Sequence, residues 1–146
     1  MSETVRVDRV WCVADSGLVV NPDGARNQLE GGVIQAVSWT LKEQVKLDDQ
    51  GIASRDWDAY PILRFSEVPE IRAELVDGAG NPTLGVGECS VGPTAAAVGN
   101  AVAHVLTPPF ERFSNASIQR YTRLPAKFSV SFAAIKRKAC RDSRFG

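Results

Sequence analysis

Glu88 ends the stretch Gly85-Val86-Gly87-Glu88, with Gly92-Pro93 close behind. A carboxylate works as a general base when it is held within reach of the proton it removes. Flanking glycines suit that task, because they permit backbone conformations closed to other residues and close approach of a bulky ligand. Partial burial would raise the acid's pKa towards neutrality, where a base is most useful. The bare pattern also describes an ordinary turn carrying a solvated acid. It is not a dinucleotide fingerprint, since the third glycine falls at 92 and no strand–Gly-x-Gly-x-x-Gly–helix arrangement surrounds it. Gln28 is the second candidate. It falls in the first turns of a predicted helix, where the positive helix end favours anionic groups. Its alternative is an exposed helix residue.

Other reactive side chains carry less. His104 is the lone histidine, and metal sites gather several ligands, so it reads as a packed or exposed helix residue and no metal site is expected. Cys12, Cys89 and Cys140 are odd in number and far apart. Without a Cys-x-x-Cys spacing they suggest neither a zinc site nor a redox pair. Cys89 reads as a small buried hydrophobe. Trp11, Trp39 and Trp57 read as core or interface aromatics.

The elements that must position these residues follow from periodicity. Val5, Val7, Val10, Trp11 and Val13 predict a strand over about 5–13, alternating at first and more buried later. Asn21-Pro22-Asp23 predicts a helix start: Asn caps, Pro suits the first position and Asp favours the positive end. Leu29, Val33, Val37 and Leu41 recur every four residues, giving a buried stripe on a helix over about 22–40. Gly31-Gly32 in its middle costs about 1 kcal/mol per glycine against alanine, so close approach of a backbone or ligand is expected there. Segments 43–47 and 52–57 flank Asp48-Asp49-Gln50-Gly51, a hairpin signal. Ile71, Ala73 and Leu75 alternate with Arg72 and Glu74 as a strand. A helix is expected over 94–106, ended by Pro108-Pro109. Residues 128–135 fit a short strand or a helix equally. The expected class is α+β, a mixed sheet covered by two main helices.

The 146 residues suit one domain, and the 44% hydrophobic and 23% charged fractions are those of a soluble globular chain. The net charge of zero gives no global pull towards nucleic acid or anionic membrane. The charge is unevenly placed. Residues 1–125 carry 11 Lys and Arg against 16 Asp and Glu, while 126–146 carry six against Asp142 alone. A domain over 1–125 followed by a basic, poorly ordered tail over 126–146 is expected. Neither a signal peptide nor an apolar run of membrane-spanning length is visible. A cytoplasmic protein is expected, or a periplasmic one exported with a partner.

Order along the chain adds what no single motif supplies. Asp15-Ser16-Gly17, Asn21-Pro22, Gln28-Leu29-Glu30-Gly31-Gly32, Tyr60-Pro61, Pro69-Glu70-Ile71, Gly85-Val86-Gly87-Glu88 and Asn100-Ala101 follow in succession. The set resembles the carboxy-terminal part of the molybdopterin-binding large subunits of the xanthine dehydrogenase and aldehyde oxidase family, in particular those of the isoquinoline 1-oxidoreductase beta type. The similarity spans about residues 5–106, with Arg123-Leu124-Pro125 as an echo of a late motif. It implies a molybdopterin-type molybdenum cofactor and hydroxylation of an aldehyde or N-heterocycle with water-derived oxygen. Glu88 matches the family's general base. Gln28 matches its pterin-contacting glutamine, and Gly87 the loop backbone beside the cofactor. It also implies partners: the remainder of the molybdopterin subunit, an iron-sulfur subunit and a small-molecule substrate.

Two departures limit this reading. Most cofactor-binding loops of the family's several-hundred-residue subunit precede this region and are absent. One glutamine and one glutamate cannot supply the convergent contacts that a large cofactor needs. Beyond Leu106 the stretch 107–122 is longer than in relatives, and the basic tail follows. The sequence therefore leaves open a dependent enzyme part, inactive alone, and a non-catalytic remnant or interaction domain. Nucleic-acid binding through the tail is a weaker third reading.

Overall fold

A computed structural model describes residues 5–106 and the backbone of 127–136; side chains are described through Ala103. Five strands and two helices appear there: β1 Arg6–Asp15, α1 Pro22–Leu41, β2 Leu47–Asp48, β3 Gly51–Ile52, β4 Glu70–Leu75, α2 Val91–Leu106 and β5 Lys127–Lys136, with a 3₁₀ turn at Phe65–Glu67 before β4. Strand β1 is central, with β4 and β5 both parallel to it in the order β4-β1-β5. The antiparallel pairing is confined to the separate β2–β3 hairpin, where Leu47 faces Ile52. The chain is thus α+β with two main helices, and the hairpin strands are shorter than the sequence suggests.

The core forms on one side of the three-stranded sheet. Val10, Cys12 and Ala14 alternate inward along β1, and Ala73 joins them from β4. Val7 is also buried but out of phase with them. A register shift between Val7 and Arg9 in the pairing with β5 absorbs the odd residue, as a bulge does. Leu29, Val33 and Val37 of α1 and Val98 and Val102 of α2 complete one cluster, each almost completely buried. Each such side chain contributes roughly 2 kcal/mol of burial. The outer row of β4, Glu70, Arg72 and Glu74, is exposed. Burial, together with the nearby Cys89, pushes the Cys12 thiol up to about 11, so this core cysteine is inert.

Helix α1 starts as its sequence predicts. The Asn21 side chain accepts from Gly24 N at 3.0 Å, Pro22 takes the first position and Asp23 lies in the first turn. Helix α2 starts at Val91, three residues before the expected Thr94. Pro93 does not delay it, because the first turn of a helix requires no N–H from that residue.

Residues 128–135, which the sequence left between strand and helix, lie within β5, Lys127–Lys136. Phe128, Val130 and Phe132 alternate with Lys127, Ser129 and Ser131, a period of two that fits a strand. The compositional boundary at 125/126 therefore does not mark the edge of the sheet. The stretch 107–126, which includes Arg123-Leu124-Pro125, and the rest of the tail with Cys140 lie outside the described residues.

Candidate functional site

Beyond β1 the chain turns at Asp15-Ser16-Gly17. Asp15 Oδ1 accepts from Gly17 N at 3.3 Å, and Gly17 has a φ of +69°. A Cβ on Gly17 would sit 2.0 Å from the Pro82 carbonyl oxygen. Only glycine permits both this backbone conformation and this approach. The approach lets two loops run side by side. Leu18 N donates to Asn81 O at 3.2 Å, and Leu84 N donates to Ser16 O at 2.8 Å. Between these paired loops and the start of α1 lies a cleft of about 390 Å³. Leu18, Val20, Leu84 and Val86 give it apolar walls, while Gln28 and Gly87 supply polar groups.

The sequence candidates Gln28 and Gly87 meet here, although 59 residues separate them. Gln28 Nε2 donates to Gly87 O at 2.7 Å. Glu88 follows directly and is exposed. The burial expected for this acid is therefore not supplied by the described residues. Cys89, next in line, is buried in the core, and its thiol donates to Val86 O at 3.4 Å. Ser90 is also buried, and its hydroxyl donates to Leu29 O at 2.9 Å. Helix α2 begins immediately afterwards. An exposed carboxylate thus stands on a loop whose neighbours on both sides are tied down.

The glycines divide in a way their spacing did not foretell. Gly85 and Gly87 do not have positive φ, and a Cβ on either would meet nothing within 4 Å. The loop's own conformation does not require them; they leave its backbone open to an approaching group. In α1 the pair also splits. A Cβ on Gly32 would lie 2.2 Å from Ser90 Oγ, whereas one on Gly31 would meet nothing. The expected close approach at this pair is thus made by the start of α2, and only at Gly32. Sequence reasoning passed over Ser90, because its burial and its bond to Leu29, 61 residues away, leave no local sign in the sequence.

These residues fit the edge of a ligand rather than a whole one. Gln28 retains its carbonyl oxygen as an acceptor, the glycine backbone is open, and among the described residues the cleft lining contains no charged side chain. That suits the donors and acceptors of a neutral fused ring and leaves any phosphate to be neutralised elsewhere. The cleft's volume matches a small-molecule site. Among the described residues no group of three or more His, Cys, Asp or Glu is placed to hold a metal ion, and no helix is long and apolar enough to cross a membrane. His104 lies on α2, with its side chain outside the described set. None of the three tryptophans is a core residue: Trp11 is half-buried with the Arg9 guanidinium 5.3 Å from its ring, and Trp39 and Trp57 are exposed.

Known proteins resemble this chain over part of their length. Residues 2–69 match the model of a molybdopterin cofactor-binding domain. The chain is 44% identical over 98 residues to one subunit of the nicotinate dehydrogenase of Pseudomonas putida, covering 67% of this chain and 8% of that protein. It is 37% identical over 102 residues to the beta subunit of isoquinoline 1-oxidoreductase from Brevundimonas diminuta, covering 70% of this chain and 13% of the relative. Among solved structures, quinoline 2-oxidoreductase from Pseudomonas putida 86 superposes with a TM-score of 0.52 at 30% identity, over 60% of this chain and 12% of that one. A Cu,Mo-CO dehydrogenase superposes equally well at 20% identity, which speaks to the fold. The chain spans about a tenth of the length of these relatives.

Proposed function

We propose, from the premise that this chain belongs as a partial molybdopterin-binding subunit to the molybdenum hydroxylase family, that it is the base-carrying part of a larger oxidoreductase. Its cofactor is of the molybdenum–molybdopterin type, and the remaining contacts come from the rest of the molybdopterin-binding subunit. An iron-sulfur subunit is the expected electron acceptor. The observation that carries the reading is the hydrogen bond from Gln28 Nε2 to Gly87 O at 2.7 Å, which brings the two matched motifs together at the rim of the cleft.

When bound, the cofactor supplies the oxygen-transfer and electron-accepting chemistry of hydroxylation. The chain's own residues do the rest. Glu88 accepts a proton at its carboxylate while an aldehyde or N-heterocycle is hydroxylated. Gln28 offers its carbonyl oxygen to the cofactor's ring edge, and the open backbone at Gly87 lets that ring approach. The rest of the subunit covers Glu88, excluding water and adding the burial that the described residues do not supply. Exposed apolar side chains support a life in an assembly: Trp57 is 73%, Leu47 74% and Phe65 100% exposed.

Co-expression with the complementary subunit fragment tests this reading. The complex is expected to contain molybdenum, and Glu88→Gln to lower turnover by about 10²–10⁴-fold with metal content unchanged. Retained turnover removes the base assignment. The second reading, a non-catalytic interaction domain, is favoured by the same exposed side chains. It predicts no pterin in any pairing, and stoichiometric pterin in the purified complex rejects it.

A further inference from the structure

We infer that Ser90 and Gly32 form a positioning clamp that, together with Gln28, fixes the Glu88 loop onto α1 before any cofactor or partner arrives; the catalytic value of the clamp rests on the reading of Glu88 as a base, its existence does not. Consecutive residues of α1 reach the loop on both sides of Glu88. On the amino-terminal side, Gln28 Nε2 donates to Gly87 O at 2.7 Å. On the carboxy-terminal side, the Leu29 carbonyl accepts from Ser90 Oγ at 2.9 Å.

The second tie needs a notch. Ser90 is 1% exposed, and its hydroxyl occupies the space that a Cβ on residue 32 would fill, at 2.2 Å. Gly32 therefore accommodates Ser90, which explains one helix-weakening glycine in the middle of α1. Ser90 is in turn locked to its own helix, because its carbonyl accepts from Thr94 N at 3.1 Å and from the buried Thr94 Oγ1 at 2.6 Å. Between the ties, Cys89 is anchored in the core. Glu88 is then the exposed point of a loop with fixed flanks. A base held in this way loses little further freedom when its target is delivered, which is the benefit of preorganisation.

Neither Ser90 nor Gly32 touches the reacting atoms in this arrangement. They act through the loop, so the test must separate local positioning from general stability. Amide hydrogen exchange on the ¹⁵N-labelled full chain does so, because it reports local opening apart from global unfolding. Val91 N and Thr94 N, bonded to Glu88 O and Ser90 O, report on the clamp; Val76 N, bonded to Ala14 O, reports on the sheet. Ser90→Ala is expected to speed exchange at Val91 and Thr94 by about tenfold and to leave Val76 within about twofold. Gly32→Ala is expected to do the same or more, whereas Gly31→Ala, whose Cβ meets open space, is not. In the pair Gly32→Ala with Ser90→Ala the steric conflict is gone, so the double variant should open no more than Gly32→Ala does.

Gln28→Ala removes an exposed tie and cannot unfold the core. It is expected to lower the ¹⁵N order parameters of Gly87 and Glu88 from rigid values of about 0.85 towards 0.6. Unchanged exchange at Val91 and Thr94 in Ser90→Ala overturns the clamp, as does equal acceleration at Val76, whatever Glu88→Gln does to turnover. Local opening with full turnover in Glu88→Gln upholds the clamp and rejects only the base.

Discussion

At its amino-terminal end α1 meets the Glu88 loop through neutral hydrogen bonds and a glycine notch; at its carboxy-terminal end it meets residues 43–67 through charged and hydroxyl groups. The far end is a network. Ser38 Oγ donates to Glu43 Oε1 at 2.5 Å and accepts from Leu63 N at 2.9 Å. Tyr60 OH donates to Glu43 Oε2 at 2.8 Å, closing the hairpin segment onto the helix. That bond to a carboxylate holds the Tyr60 phenol above its ordinary value. Lys42 pairs with Glu67, which also accepts from Arg64 N at 2.8 Å. The two ends therefore answer to different perturbations. The cleft end depends on close approach of atoms, and added volume breaks it. The far end depends on charge, and pH and salt weaken it.

The largest expected effect is at the cleft end. Gly17→Ala adds a Cβ 2.0 Å from the Pro82 carbonyl oxygen, at a residue whose φ is +69°. Steric conflict and left-handed strain act together, and a loss of about 3 kcal/mol is expected in urea denaturation of the chain. Salt should not change that loss. If Gly17→Ala unfolds within about 0.5 kcal/mol of the unsubstituted chain, the cleft end is not held by close approach.

The far end should respond more weakly, and with a different signature. Burial opposes ionisation at Glu67, but the Lys42 ammonium and the Arg64 N–H outweigh it and hold the carboxyl below its ordinary 4.5. A depressed acid stabilises the fold above its unfolded pKa and loses that contribution as pH falls through the folded one. Lys42→Met is therefore expected to cost about 1 kcal/mol at neutral pH and low salt, less in 1 M salt and least below about pH 4. A loss that does not vary with pH or salt would assign Lys42 to packing alone.

A different division, between local elements and their assembly, governs how much the sequence disclosed. The elements themselves obey local rules at both ends: the Asn21 cap, the four-residue stripe from Leu29 and the Gly51 turn are each visible within a few neighbouring residues. The site was legible as motifs, since Gln28, Gly87 and Glu88 lie in matched stretches. Its assembly was not. The contact between Gln28 and Gly87 spans 59 residues and that between Ser90 and Leu29 spans 61, and no local pattern encodes such a meeting. Gly31-Gly32 shows the limit well. Spacing marked the pair as one feature, but only packing separates a glycine that houses Ser90 from one beside open space. Glu88 marks a second limit: its motif was legible, but its exposure was not, because no local pattern tells which parts of a fold will cover a loop residue.

An effect no larger than that of Lys42→Met, but of reverse sign, sharpens the contrast from within α1. Thr40 is 1% exposed, and among the described residues its hydroxyl has no hydrogen-bond partner. It stands at the far end, two residues from Ser38 and Lys42, whose polar groups are all engaged. A buried hydroxyl without a partner carries its desolvation cost uncompensated. Thr40→Val keeps the β-branch and nearly the same volume while removing that hydroxyl. It should therefore stabilise the chain by about 1 kcal/mol in urea denaturation. Because neither charge nor the glycine notch is involved, the gain should persist across salt and pH and leave exchange at Val91 and Thr94 unchanged. A destabilised Thr40→Val would mean that the hydroxyl is satisfied in solution, and the far end would then be a closed polar network with no weak member.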